Sequence, residues 1–283
     1  MLYLAVSHDL ESQNRKKMTE KTLEIKNGTT TISYFEQGKG DTTLLLVHGW
    51  CINKGYWENQ IDYFKTKYKV VAIDLPGFGE STSTRGKWTI AQYGEDLIEI
   101  IDKLGLTNVI LVGHSMAGEV ILEAALKDHP AIIGLVGIDN FKTIDVQFSP
   151  QQLERMHSVM ELMEKDFKNI APSYAENVLF HPSTDGAVKA RVKQDFAGSD
   201  PDVGFSSLKE LVNYSAQEPA KLAELKYKLY LINSDYMPIN LDGLKKYCQK
   251  SIAVVNIEET GHYPMIEKPD KFNELLQKII EGM

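Results

Sequence analysis

The sequence predicts an α/β fold: a mostly parallel, doubly wound sheet opened by an N-terminal antiparallel hairpin and carrying an inserted helical lid. Three observations predict it. Asn27-Gly28, between β-forming stretches at 22–26 and 29–36, is a two-residue hairpin signal. Short, nearly continuous apolar runs follow at 43–47, 69–73, 109–112 and 132–138. Runs of that length suit central strands of a parallel sheet buried on both faces. Finally, the alternation of strand and helix signals breaks between about 141 and 225, then resumes with strand-like runs at 229–233 and 252–257.

Each intervening element has its own signal. Trp57, Ile61 and Phe64 fall on one helical face, and Thr89 is placed to cap a helix that stacks Leu97, Ile101 and Leu104. Ser149-Pro150 marks the start of the first helix of the insertion. The inserted region shows a stripe of Leu153, Met156, Met160, Met163 and Phe167 at helical spacing. A closing helix after Pro269 presents Phe272, Leu275, Leu276, Ile279 and Ile280. The expected organisation is a disordered leader over 1–21, with Met18 as an alternative start. A core over 22–140 and 226–283 and a helical lid over 141–225 complete it.

Composition narrows the function. The 283 residues are long enough for one large α/β domain with an insertion. A net charge of −8 disfavours nucleic acid or an anionic membrane surface as the main partner. Cys51 and Cys248 cannot build a disulfide framework, and neither CxxC nor HExxH occurs, so no metal site is expected. Leu2-Tyr3-Leu4-Ala5-Val6 is too short for a signal h-region, and its basic residues follow it. No segment reaches membrane-spanning length, and a cytoplasmic protein is the expectation. Phosphate-loop spacing fails at Glu119, where a lysine is needed, and a dinucleotide loop fails at Thr82; no cofactor is expected.

Gly113-His114-Ser115-Met116-Ala117-Gly118 carries the chemistry. It follows the run Val109-Ile110-Leu111-Val112 and opens a helix-like stretch. A serine between small residues at such a junction reads as a nucleophile elbow, a strained turn that lifts a hydroxyl clear of its own backbone. Ala117 stands where a second glycine is usual, one methyl group from the full pattern.

A serine nucleophile needs a base, an acid that orients the base, and donors for the oxyanion. His262, in Gly261-His262-Tyr263-Pro264, follows the last strand and is the base candidate. Asp235 follows the preceding strand and is the expected acid; Asp139, just past the 132–138 strand, competes for that role. The backbone amides of Trp50, after Leu44-Leu45-Leu46-Val47-His48-Gly49, and of Met116, at a helix N-terminus, are placed to hold an oxyanion. His48 reads as a loop-shaping residue, and the other histidines, His114 among them, show no paired ligand spacing.

On these motifs, with Asp74-Leu75-Pro76-Gly77-Phe78-Gly79-Glu80-Ser81, the chain resembles the α/β-hydrolase superfamily, in the lid-bearing group of small bacterial esterases. The order Ser115…Asp235…His262 is the order usual in that superfamily. The stretch His48 to Asn53 is similar to the carboxylesterases that cleave a pimeloyl methyl ester in biotin synthesis. The resemblance implies cofactor-independent hydrolysis of a small, fairly apolar carboxylic ester through an acyl-enzyme. Met156, Met160, Met163 and Phe167 are the candidates to line the acyl pocket, packing of the lid on the core being the alternative for the stripe. Slow-turnover ligand sensing is the alternative function, as is lyase or cofactor-free peroxidase chemistry on the same residues. Serine at the elbow, in place of aspartate, argues against haloalkane dehalogenase and epoxide hydrolase chemistry.

Overall fold

The computed structural model describes residues 18–283. The hairpin forms where Asn27-Gly28 placed it: β1 (Glu20–Ile25) pairs antiparallel with β2 (Thr30–Gln37). Asn27 at φ 55° and Gly28 at φ 83° make the left-handed turn between them. Strand β1 starts two residues inside the expected leader, because Glu20 already pairs with Phe35. Residues 1–17 of that leader lie outside the described residues.

Four apolar runs become the centre of the sheet as β3 (Thr43–Val47), β4 (Lys69–Ile73), β6 (Val109–His114) and β7 (Ile132–Ile138). Every residue of β3 and β6 is buried, which explains why these strands read as unbroken apolar runs rather than alternating ones. Strands β8 (Leu229–Ser234) and β9 (Ile252–Ile257) extend the sheet, and short β5 (Thr82–Ser83) pairs with β2. Among the described residues the order is β1-β2-β4-β3-β6-β7-β8-β9, parallel from β4 to β9. All the parallel strands therefore end at one edge, where such sheets hold their ligands.

Helices cover both faces. Helices α1 (Glu58–Phe64) and α11 (Pro269–Glu281) pack against each other, as do α2 (Ile90–Lys103) and α3 (Ala117–Ala125). Thr89 caps α2 in a capping box with Gln92. Between β7 and β8 the chain is helical: α4 (Pro150–Lys165), α5 (Phe167–Val178), α6 (Gly186–Gly198), α7 (Pro201–Ser215) and α8 (Glu218–Glu224). Ser149 and Pro150 start α4, again through a capping box. The stripe neither stays on one helix nor runs buried along its length: α4 ends at Lys165, and Phe167 opens α5. Leu153 and Met156 are exposed and Met160 is half-buried, whereas Met163 and Phe167 are buried. Short helices α9 (Leu241–Tyr247) and α10 (Pro264–Glu267) complete the chain. Among the described residues no helix is long and apolar enough to cross a membrane.

Candidate active site

Strand β6 ends at His114, and the next residue, Ser115, takes φ 53°, a left-handed conformation costly for a non-glycine residue. The turn has no room for side chains at two glycines. A Cβ on Gly113 would lie 2.3 Å from the Ala117 carbonyl, and one on Gly118 would lie 1.9 Å from Asn140 Nδ2. Ala117 is fully buried and fits, so the close approach falls on Gly118 instead of the usual second elbow position. Ser115 itself is half-buried at the strand ends.

Ser115 Oγ lies 2.8 Å from His262 Nε2, and His262 Nδ1 lies 2.5 Å from Asp139 Oδ2. The serine hydroxyl donates to Nε2 and the protonated Nδ1 donates to the carboxylate. The acid that meets His262 is thus Asp139, which corrects the expectation of Asp235. Asp235 is exposed, and its carboxylate accepts the Glu259 and Thr260 amides at 3.0 and 3.4 Å. It braces the loop that carries His262 and makes no contact with the ring. Asp139 follows β7 directly with φ 51°, so a second strained turn aims it across the edge of the sheet.

Asp139 is fully engaged. Oδ1 accepts the Ser234 amide at 2.8 Å and the Lys142 ammonium at 2.6 Å. Burial pushes this carboxyl up. The hydrogen bond and charge of His262, followed by those of Lys142, outweigh burial and hold it below the ordinary carboxylate range. The Tyr236 hydroxyl stands 3.1 Å from His262 Nδ1. On the other side, His114 Nε2 donates to the His262 carbonyl at 2.7 Å, and the two imidazoles lie 4.7 Å apart. Burial, with His262 adding to it, lowers His114 to about 3, so it is neutral and serves as a brace.

Gly49 presses on Ser115. A Cβ there would lie 2.9 Å from Ser115 Cβ, so the backbone entering Trp50 runs beside the serine. Among the described residues neither the Trp50 nor the Met116 amide donates to a protein acceptor. His48 shapes this loop: Nδ1 donates to the Gly49 carbonyl at 2.7 Å and Nε2 accepts the Leu75 amide at 2.9 Å. Asp74 binds the Lys54 and Glu80 amides and the Lys54 ammonium, tying the Asp74–Ser81 turn to the same loop. The Trp50 ring meets Phe167, Tyr174 and Phe196 edge-on, and its Nε1 donates to the Gly204 carbonyl at 2.7 Å.

Of the pocket candidates, Phe167 comes closest to this machinery, through Trp50. Met163 and Phe167 also line a cleft of about 430 Å³ beside Phe205, whose lining includes neither Ser115 nor His262. Met156 is 44% exposed. Both cysteines are free and buried, and no cluster of metal-ligating residues occurs among the described residues. Sequence reasoning missed Lys142, Tyr236 and the bracing role of His114. A lysine three residues past Asp139 was the one available signal.

Residues 42–269 match the family model described as alpha/beta hydrolase fold, and the chain belongs to that family. It is similar to the (E)-2-((N-methylformamido)methylene)succinate hydrolase of Acinetobacter baylyi, 36% identical over 44% of this chain and 46% of the relative. The chain thus spans under half the length of that relative. A strigolactone esterase of Arabidopsis thaliana is 24% identical over 86% of this chain and 94% of its own. A pimeloyl-[acyl-carrier protein] methyl ester esterase of Yersinia enterocolitica is 32% identical over 36% of this chain and 38% of its own. Among solved structures, an esterase from Exiguobacterium antarcticum superposes with a TM-score of 0.79 at 19% identity, over 93% of this chain and all of that one. The chain belongs to the alpha/beta hydrolase family, and the relatives it is similar to are named as hydrolases and esterases.

Proposed function

We propose that this protein is a serine hydrolase that cleaves a small carboxylic ester through an acyl-enzyme. One observation carries the reading: the unbroken relay Ser115 Oγ to His262 Nε2 to Asp139, at 2.8 and 2.5 Å. In this reading His262 takes the Ser115 proton as the hydroxyl attacks the ester carbonyl, then passes it to the leaving alkoxide. Asp139 fixes the tautomer of His262 and offsets the charge of the imidazolium. The Trp50 and Met116 amides receive the oxyanion, and water resolves the acyl-enzyme by the same proton route. The reaction needs no cofactor. The aromatic group around Trp50 favours an apolar acyl or alcohol portion, and helices α4–α8 act as the lid over it.

Multiple turnover is what separates this reading from ligand sensing on the same residues. A panel of p-nitrophenyl esters of rising acyl length should give many turnovers per protein, with kcat/KM rising until the pocket is full. Each buried methylene contributes roughly 0.8 kcal/mol. One slow turnover followed by retained product would instead indicate a sensor.

A further inference from the structure

Lys142 is the charged group that the triad reading leaves unexplained. Its side chain is 5% exposed, and its ammonium touches the acid oxygen that His262 does not use. Nζ lies 2.6 Å from Asp139 Oδ1, donates to the Ser234 carbonyl at 2.8 Å and stands 4.3 Å from the Tyr236 ring centre. An ammonium is costly to bury and persists only with a partner this close. Anchoring the loop does not require it, because Asp139 already holds the Ser234 amide and the Lys142 carbonyl already accepts the Asn240 amide at 2.8 Å.

We propose that Lys142 is a positioning residue that balances the charge of Asp139 and so keeps His262 unprotonated, and able to act as base, in more acidic solution. The proposal rests on the reading of Ser115, His262 and Asp139 as the reacting groups. With Lys142 present, the buried lysine and aspartate sum to zero, and protonating His262 leaves a net positive cluster. Without Lys142, the same protonation brings the cluster to neutrality and is favoured. A largely buried cluster resists net charge, so Lys142 opposes proton uptake by the resting histidine.

The other groups facing this cluster do not supply that charge. His114, behind His262, is neutral. The phenols of Tyr236, Tyr263 and Tyr174 are pushed up by burial and carry no charge in the working range. Asp235 attracts Lys142 from the loop after β8, and Glu267 faces Tyr236 from α10; a carboxyl group supplies no positive charge. Lys142 is the cation against Asp139 among the described residues.

The test is the rate of inactivation by a fluorophosphonate between pH 4.5 and 9, for the parent, Lys142→Met and Lys142→Gln, with the labelled peptide identified by mass. The acid limb should move up by about one pH unit in both variants, with the plateau rate falling less than about tenfold. Folded variants labelled at Ser115 with an unmoved limb overturn the proposal and leave the serine reading intact. If the methionine variant does not fold, the glutamine variant decides, since it keeps a donor for Ser234 without the charge. Loss of folding in both assigns Lys142 to the fold and also overturns the proposal. A parent protein that is not labelled at Ser115 overturns the serine reading itself, and the proposal with it.

Discussion

Ser115 and Asp139 occupy equivalent places, each one residue past the end of an adjacent parallel strand and each in left-handed backbone, at φ 53° and 51°. The strands hold them in register: His114 pairs with Ile138, and the Ser115 amide donates to the Ile138 carbonyl at 2.9 Å. Two strained turns side by side therefore present a hydroxyl and a carboxylate at a fixed separation, and His262 fills the gap. Strain of this kind, of order 1–3 kcal/mol per residue, persists only where the surrounding structure imposes it.

The acid assignment is tested by two asparagines. Asp139→Asn should lower kcat on the order of 10³-fold or more, because an amide no longer fixes the tautomer of His262. Asp235→Asn should change kcat less than about threefold, since it alters only two amide contacts on an exposed loop. Steady-state kinetics on both variants checks this, and the reverse pattern rules out Asp139 as the acid.

Gly49→Ala places a methyl group against Ser115 Cβ and 2.8 Å from His114 Nδ1. The loop carrying the Trp50 amide must then move away from the serine. The expected result is a fall in kcat of about 10²-fold with a smaller change in KM, as for loss of an oxyanion donor. A KM effect alone would mean that this amide binds nothing that develops during the reaction.

Glu119 and Glu218 form a buried acid pair between α3 and α8. Burial, reinforced by Glu218, pushes Glu119 well up, and burial raises Glu218 to about 7. For an acid whose folded value is raised, the stabilising protonated form is fully present below the unfolded value, near 4.3, and its contribution is lost as pH rises towards 7. Glu119→Gln removes part of that loss and supplies an amide donor to Glu218. Thermal melts should show a higher Tm for the variant at pH 8, by about 2–4 °C per kcal/mol gained, and little difference at pH 4.5. A lower Tm at pH 8 contradicts this account of the pair.

Met156 and Phe167 should separate along the insertion. Met156→Ala removes an exposed side chain and should leave both Tm and the acyl-length profile unchanged. Phe167→Ala empties the space beside Trp50 and Gly204, costs about 3–5 kcal/mol, and should shift the preferred ester towards longer chains. A changed profile in the methionine variant would place α4 nearer the substrate than its exposure implies.

The sheet was legible because strands buried on both faces leave an unbroken apolar signature, as Leu44–Val47 and Val109–Val112 do. The elbow was legible because its strain demands small residues around Ser115. The acid was not. Strands β7 and β8 are each followed directly by an aspartate, and spacing along the chain does not say which one turns towards His262. That choice is made by the Ser234 amide, which binds Asp139 at the sheet edge, while the Glu259 and Thr260 amides draw Asp235 away. The outward half of the α4 stripe was misleading for a related reason. Helical spacing fixes which residues share a face, but not how far along the helix its cover extends.

The central claim is that Ser115 becomes covalently acylated, and trapping measures this most directly. The parent protein, quenched in acid during turnover of a slowly hydrolysed ester, should show by intact mass an adduct equal to the acyl group. Peptide mapping should place it on Ser115, and Ser115→Ala should show none while keeping the parent's melting curve. An adduct on another residue, or undiminished turnover in Ser115→Ala, contradicts the account.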